Sequence, residues 1–386
     1  MRQVYLDHAA TTPLHPEVAA EMSRVLETSF GNPSSVHAFG REAKQYLEEA
    51  RRKVAELIGA VPEEIIFTSG GTEADNLAIL GTVYANQRRG NHIITSAIEH
   101  HAVLDTCKFL AQNGFEVTFL PVDQNGVVSP DDVARAIRRE TILISIMHAN
   151  NEIGTIEPIE EIGEIAREKE VIFHTDAVQT AGHLPVNVEN LKVDLLSMAA
   201  HKMYGPKGAG ALYIRKRIRL TPLFHGGGQE RKRRPGTENL PGIVGFGKAA
   251  EIAGRELSAT SARVQKLRDK LIQGIQKRVP DVRLNGHPTR RLPNNVNFSF
   301  AGVEGESLLL SLDLKGIAAS TGSACSAGAL QASHVLTAIG LPPELARGSL
   351  RMTAGLANTE EDIDYVLEVL PDVVAKLRTL SPLGRN

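Results

Sequence analysis

The distribution of apolar and polar positions along the first part of the chain predicts an α/β sheet. Seven short apolar runs have the length of buried strands, at residues 64–68, 92–96, 116–120, 141–147, 171–175, 194–199 and 210–214. Most are separated by stretches with helical spacing of apolar residues, at 72–87, 101–113, 129–139 and 158–169. Strands that alternate with helices are typical of a mostly parallel sheet. We therefore predict an α/β fold built on a seven-stranded sheet.

The pattern changes near residue 240. A long helical stretch runs from 240 to about 278 and is followed by sparser strands and helices; the strand candidates are 295–300, 317–320 and 350–353, and the helices are 306–312, 334–339 and 360–378. A chain of 386 residues is long for one domain. We predict a large α/β domain at 14–257 and a smaller α+β domain formed by 1–13 together with 258–386.

Composition excludes several classes of function. Hydrophobic residues make up 42% and charged residues 23%, as in ordinary soluble proteins, and the net charge of −2 offers no footprint for nucleic acid or membrane. No apolar run has the length of a membrane span, and the N-terminus lacks a signal-peptide core. The two cysteines form neither a disulfide framework nor a zinc-ligand pattern. We expect a cytoplasmic protein without a metal site.

The ends of two predicted strands carry groups of particular chemistry. His201 and Lys202 follow the run 194–199, and Asp176 follows 171–175, with Gln179 one turn later. Parallel strands present their carboxyl ends at one sheet edge. An isolated lysine there more often reaches solvent, because a buried one is costly unless paired, neutral or covalently used. An acid for a pyridinium nitrogen and a lysine for a Schiff base are what pyridoxal phosphate (PLP) requires, so the combination resembles a fold-type I PLP enzyme.

Three other stretches suggest ligand contacts. Residues 68–76 join a strand to a helix through two glycines, with Thr72 as the predicted N-cap; this turn could bind an anion, although a capped helix without a ligand is commoner. His100 and His101 begin a helix on different faces and make a poor metal pair. Residues 225–239 are glycine-rich and basic, which predicts a loop suited to phosphate.

The two cysteines differ in their surroundings. Cys107 lies on a predicted helix among Val103, Leu104 and Leu110, which indicates a packing role. Cys325 lies in residues 318–330, where small uncharged residues predict a mobile loop. An accessible thiol on such a loop is a candidate nucleophile.

Nine short motifs occur in a familiar order along the chain, at residues 6–13, 31–35, 69–76, 99–100, 149–154, 176–179, 201–202, 226–230 and 323–326. Each is weak alone, but together they cover nearly the full length. With them the chain resembles the PLP-dependent cysteine desulfurases of the NifS/IscS type, class V of the aminotransferase superfamily. The spacing from Cys325 to residues 333–336 matches the branch with a long catalytic loop.

The resemblance implies a set of cofactor-binding residues. Lys202 would hold PLP covalently, Asp176 would pair with the pyridinium nitrogen, and Gln179 would bind the phenolic oxygen. His100 would stack on the ring and move protons. The remaining contacts, mainly to the phosphate, would come from Gly71, Thr72, Asn151 and His201, and from Thr237 of a second subunit in a homodimer.

The resemblance also implies the reaction. L-cysteine, its carboxylate bound by Asn151 and Arg351, would be converted to L-alanine, and its sulfur would form a persulfide on Cys325. The persulfide sulfur would pass to an acceptor or scaffold protein for iron–sulfur clusters, thionucleosides or similar products. Two positions depart from the usual pattern: Ala199 replaces a serine common in relatives, and Pro235 replaces the serine of an Arg-Ser-Gly-Thr segment. Both bear on the phosphate contacts.

Three alternatives remain at this point. A selenocysteine lyase would use the same residues, and an aminotransferase would need no cysteine. A non-catalytic scaffold or a nucleotide binder is a different class. Lys202, Asp176 and Cys325 argue against the scaffold, and the absence of a G-x-G-x-x-G motif argues against the binder.

Overall fold

The computed structural model describes residues 2–321 and 332–380. Its strands are β1 Val4–Tyr5, β2 Ile65–Thr68, β3 His92–Ser96, β4 Glu116–Leu120, β5 Thr141–Ser145, β6 Ile172–Asp176, β7 Leu195–Ala199, β8 Gly210–Ile214, β9 Val282–Leu284, β10 Asn295–Phe300, β11 Ile317–Ala318 and β12 Ser349–Thr353. Its helices are α1 Pro16–Thr28, α2 Ala38–Leu57, α3 Gly71–Asn86, α4 His101–Gln112, α5 Pro130–Ala136, α6 Ile159–Glu168, α7 Leu240–Arg278, α8 Gly305–Asp313, α9 His334–Ala338, α10 Pro343–Arg347 and α11 Glu360–Leu380. Within the described residues, no helix has the length and apolarity needed to cross a bilayer.

The central sheet confirms the predicted α/β architecture. Its order is β2-β8-β7-β6-β5-β3-β4, and β8 runs antiparallel to both of its neighbours, whereas the remaining pairs are parallel. Strand β5 ends at Ser145, two residues earlier than predicted, because the Met147 amide donates to the Glu99 side chain. Helix α2 begins at Ala38, where the His37 ring caps it by accepting from the Gly40 amide.

The buried apolar side chains form separate cores in the two parts of the chain. Two clusters cover opposite faces of the central sheet. A third joins the first residues of the chain to the three-stranded sheet β12-β10-β9 and helices α8 and α11. Helix α7 contributes residues 240–252 to the first core and residues 264–275 to the third. This 39-residue helix therefore spans both regions.

The N-terminal segment connects these regions beside the edge of the central sheet. Strand β1 pairs in parallel with β11, and Asp7 forms a bridge with Thr353 of β12. Further along, the Thr12 amide donates to the carbonyl of His201, just after β7. Residues 7–12 thus form a strap across the carboxyl ends of the sheet strands.

Candidate active site

A cavity of about 450 Å³ lies at the carboxyl edge of the central sheet, beneath this N-terminal strap. It is lined by Ala9, Ala10, Gly71, Thr72, Asp75, His100, Met147, Asn151, Asp176, Val178, Gln179, Ala199, His201, Lys202 and Arg351. Every predicted site residue that the structure describes is in this set except Thr237. A larger open cleft of about 1000 Å³ lies near the opposite edge and contains none of these groups.

Lys202 sits in a short 3₁₀ turn, Ala200–Lys202, that directly follows β7. Its amine donates hydrogen bonds to the carbonyls of Ala9 and Ala10, the latter at 2.8 Å. The Ala9 carbonyl also accepts from Gln179 Nε2 at 3.1 Å. The N-terminal strap therefore holds both side chains at the pocket through backbone oxygens.

Asp176 ends β6 and is almost fully buried. Its Oδ1 accepts from the Val178 amide at 2.8 Å, and its side chain faces the cavity. Burial raises the pKa of Asp176 to about 6, although the Val178 hydrogen bond and the charge of Lys202 act in the opposite direction. A carboxylate in this position would be stabilised by a cationic ligand.

The two histidines at the pocket are uncharged near neutral pH. His100 is the N-cap of α4, and its Nδ1 accepts from the Ala102 amide at 3.1 Å, so the neutral ring carries its hydrogen on Nε2. Burial, and then the charge of Lys202, lowers the pKa of His100 to about 4. The same two causes lower the pKa of His201 to about 4. Each neutral ring can therefore donate its one N–H hydrogen bond to an anion without adding charge.

The start of α3 differs from the predicted cap. Thr72 is not the N-cap; Gly70 occupies that position without a side-chain cap, and Glu73 reaches back to accept from the Ser69 amide at 2.9 Å. The Thr72 side chain instead lines the cavity. A Cβ added at Gly71 would lie 2.8 Å from Val178 Cγ2, so glycine is needed for this close approach. Unpaired amides at a helix start favour an anion.

Arg351 on β12 provides the cationic wall of the pocket. It is 3% exposed, and its Nη2 donates to Asp7 Oδ1 at 2.8 Å while Nη1 donates to the Asn151 carbonyl at 3.1 Å. Its buried Nε has no hydrogen-bond partner among the described residues. A guanidinium held at two corners in this way is suited to a carboxylate.

Sequence reasoning missed two acids of the site, Asp7 and Asp75. Asp7 belongs to the motif 6–13, but nothing in the sequence pairs it with a residue 344 positions later. Asp75 lies four residues after Gly71 on α3, so both positions are on the same face of the helix. This spacing could have identified Asp75 from the sequence.

Of the predicted site residues outside the cavity lining, the structure describes only Thr237. Thr237 is exposed and does not line this pocket. Cys325 lies outside the described residues. Cys107 is fully buried on α4, and burial raises the pKa of its thiol to about 12, as expected for a packing residue.

Comparisons with known proteins agree with this geometry. Residues 4–366 match the family "Aminotransferase class-V". The chain is 60% identical to "Cysteine desulfurase IscS" of Dictyoglomus turgidum, covering 99% of this chain and 97% of the relative, and 58% identical to the IscS of Methanosarcina thermophila, covering 99% and 94%.

Solved structures give the same result. A "NIFS-LIKE PROTEIN" superposes with a TM-score of 0.92 at 41% identity, covering 97% of this chain and 100% of that one. "SspA in complex with cysteine" superposes with a TM-score of 0.82 at 39% identity, covering 92% and 99%. The chain therefore belongs to the aminotransferase class-V family, among the cysteine desulfurases of the IscS and NifS type.

Proposed function

We propose that the chain binds PLP in this pocket and converts L-cysteine to L-alanine, with the sulfur received by Cys325. The observation that supports this most is the convergence of an amine, a buried acid and a guanidinium on one cavity, from Lys202, Asp176 and Arg351. When bound, PLP supplies an electron sink that acidifies the Cα hydrogen of an amino acid. The structural neighbour described as a complex with cysteine supports the choice of substrate.

The residues of the sheet edge fit this cofactor. Asp176 would neutralise the pyridinium, which relieves the cost of its own buried charge. Gln179 would bind the phenolic oxygen. The helix start at Gly71 and Thr72, with His201, would hold the phosphate. His100 would stack on the ring.

The remaining side chains bind substrate and move protons. Lys202 would be linked to the cofactor at rest, and its amine would take the Cα proton once substrate has displaced it. Arg351 and Asn151 would hold the substrate carboxylate. His100 would exchange a proton at Nε2, because Nδ1 is occupied by the Ala102 amide.

Sulfur transfer requires a thiolate. Cys325 would attack the sulfur of L-cysteine; the carbon–sulfur bond breaks, its electron pair stays on Cβ, and Cβ takes a proton to give alanine. The persulfide on Cys325 would supply an acceptor protein for iron–sulfur cluster assembly or other thio-cofactors.

We also propose a homodimer in which Thr237 reaches the second site, and a division into domains at 14–257 and at 1–13 with 258–386. The separate cores along α7 support that division.

The test is to give the protein L-cysteine and a reductant and to measure alanine and sulfide. After a cysteine pulse without reductant, mass spectrometry should find added sulfur on the peptide that carries Cys325. Cys325→Ala should retain PLP but release no sulfide, and Cys107→Ala is the matched control that should behave like the wild type. Full turnover by Cys325→Ala, or sulfur only on Cys107, would contradict the proposal. A selenocysteine lyase would retain activity on selenocysteine and show none on cysteine.

A further inference from the structure

One side chain of the N-terminal strap, Thr12, holds the backbone of the Lys202 turn on both sides. Its amide and its hydroxyl each donate to the carbonyl of His201 at 2.9 Å. The same hydroxyl accepts from the amide of Tyr204 at 2.8 Å. A hydroxyl has one hydrogen to donate and lone pairs to accept, so it can link the carbonyl before Lys202 to the amide two residues after it. Thr12 is 5% exposed, which keeps these hydrogen bonds away from solvent.

The shape of this turn depends on contacts from distant segments. Tyr204 has a φ of +64°, in the left-handed region that a bulky residue rarely adopts. Such a conformation persists where the surroundings fix it. The Tyr204 carbonyl accepts from the amide of His15 at 3.0 Å, and its phenolic oxygen accepts from the amide of Leu356 at 2.8 Å. On the other side, the carbonyl of Lys202 accepts from His183 Nε2 at 2.8 Å.

The same strap also holds the far end of the lysine side chain. The Lys202 amine donates to the carbonyls of Ala9 and Ala10, which lie three and two residues before Thr12. The backbone of Ala9 is itself fixed, because its amide donates to Thr353 Oγ1 at 2.8 Å. The strap therefore contacts Lys202 at its backbone through Thr12 and at its amine through two carbonyls. A shift of the turn against the strap would move the amine in the pocket.

We propose that Thr12 is a positioning residue whose hydroxyl locks the Lys202 turn against the strap, so that the lysine amine acts from one fixed place. A proton moves only to a base within hydrogen-bond reach, and a small displacement of a reacting group lowers the rate strongly. Substrate binding depends less on this lock, because Arg351 is anchored to Asp7 on another part of the strap. The inference rests on the proposed function, in which Lys202 holds PLP and takes the Cα proton.

The first test measures the lock itself in the full-length protein without PLP. Thr12→Val removes the hydroxyl at similar volume, and Thr12→Ser keeps it. Thr82→Val is the matched control on α3, where a buried hydroxyl has no hydrogen-bond partner among the described residues. Amide hydrogen exchange at Tyr204, followed by NMR or mass spectrometry, should be about tenfold faster in Thr12→Val, and should stay within about twofold of wild type in Thr12→Ser and Thr82→Val.

The second test follows the Cα proton in the PLP-loaded protein, through solvent deuterium exchange into L-alanine and through cysteine turnover. In Thr12→Val the exchange rate and kcat should both fall about tenfold while KM stays within about twofold, and Thr12→Ser should restore both rates. If Thr12→Val does not fold, Thr12→Ala takes its place. Unchanged exchange at the Tyr204 amide, unchanged kcat, or a failure of Thr12→Ser to restore the rates overturns the inference. A borohydride adduct of PLP on another lysine would instead overturn the proposed function and leave the amide-exchange result intact.

Discussion

The pocket has two walls that treat charge differently: the sheet wall, with Asp176 and His201, and the opposite wall, with Arg351 of β12. On the sheet wall, burial disfavours charge, since the pKa of Asp176 is raised to about 6 and that of His201 is lowered to about 4. On the opposite wall, Arg351 is buried but already paired with Asp7 at 2.8 Å. The sheet wall therefore gains from a ligand that brings its own positive charge, whereas Arg351 must share its guanidinium between Asp7 and a substrate carboxylate.

Replacing Lys202 by Ala should have the largest effect, because it removes the only lysine among the described residues that line the pocket. Turnover should fall by at least about 10²-fold, the usual contribution of a general base. Borohydride reduction of the wild type should fix PLP to the peptide that contains Lys202, and the variant should yield no such adduct. An adduct on another lysine would show that this assignment is wrong.

Asp176→Asn tests whether burial makes the ionised form of Asp176 unfavourable in the protein without PLP. Because the folded pKa is raised, the fold favours the protonated acid; this stability is complete below the ordinary pKa near 4 and is lost as the pH rises through about 6. At neutral pH the PLP-free variant should therefore be more stable than wild-type apoprotein by roughly 1–3 kcal/mol, while it retains PLP less well. Denaturant unfolding across this pH range measures the difference. Parallel pH profiles for the two proteins would contradict it.

Arg351→Lys probes the opposite wall, since lysine keeps the charge but loses the planar fork. Cysteine binding should weaken by about 1–3 kcal/mol, seen as a raised KM and a lower kcat/KM, with PLP retention unchanged. Arg347→Lys, at an exposed position on α10, is the matched control. Unchanged kinetics in Arg351→Lys would exclude this residue as the carboxylate site.

Ala199→Ser should have the smallest effect and acts on the sheet wall alone. Its methyl group is 3.7 Å from the place where a Cβ at Gly71 would stand, so a hydroxyl here would approach the proposed phosphate site. One added hydrogen bond should slow PLP dissociation by about 0.5–1.5 kcal/mol. Stopped-flow or dialysis measurement of PLP loss would reveal it, and faster loss would mean that the position has no room for an oxygen.

Local patterns predicted much of this molecule. The strands at 92–96, 116–120 and 210–214 and the helix at 240–278 agree with the structure at both ends, because their boundaries depend on nearby turn and cap residues. The predicted N-cap of α3 was wrong, because Glu73, the third residue of the helix, reaches back and accepts from the Ser69 amide. The short strand β9 was missed because its three residues are too few for a pattern, and they form a strand only through pairing with β10.

The sequence by itself determined the order of strands and helices, the lysine and acid at neighbouring strand ends, and the family. Only the tertiary structure decided how these groups are held. Lys202 is anchored by backbone carbonyls more than 190 positions away, and Arg351 by an acid 344 positions away. Carbonyl oxygens are the same in every residue, and ion pairs between distant residues have no fixed spacing, so neither leaves a pattern that a single sequence can reveal.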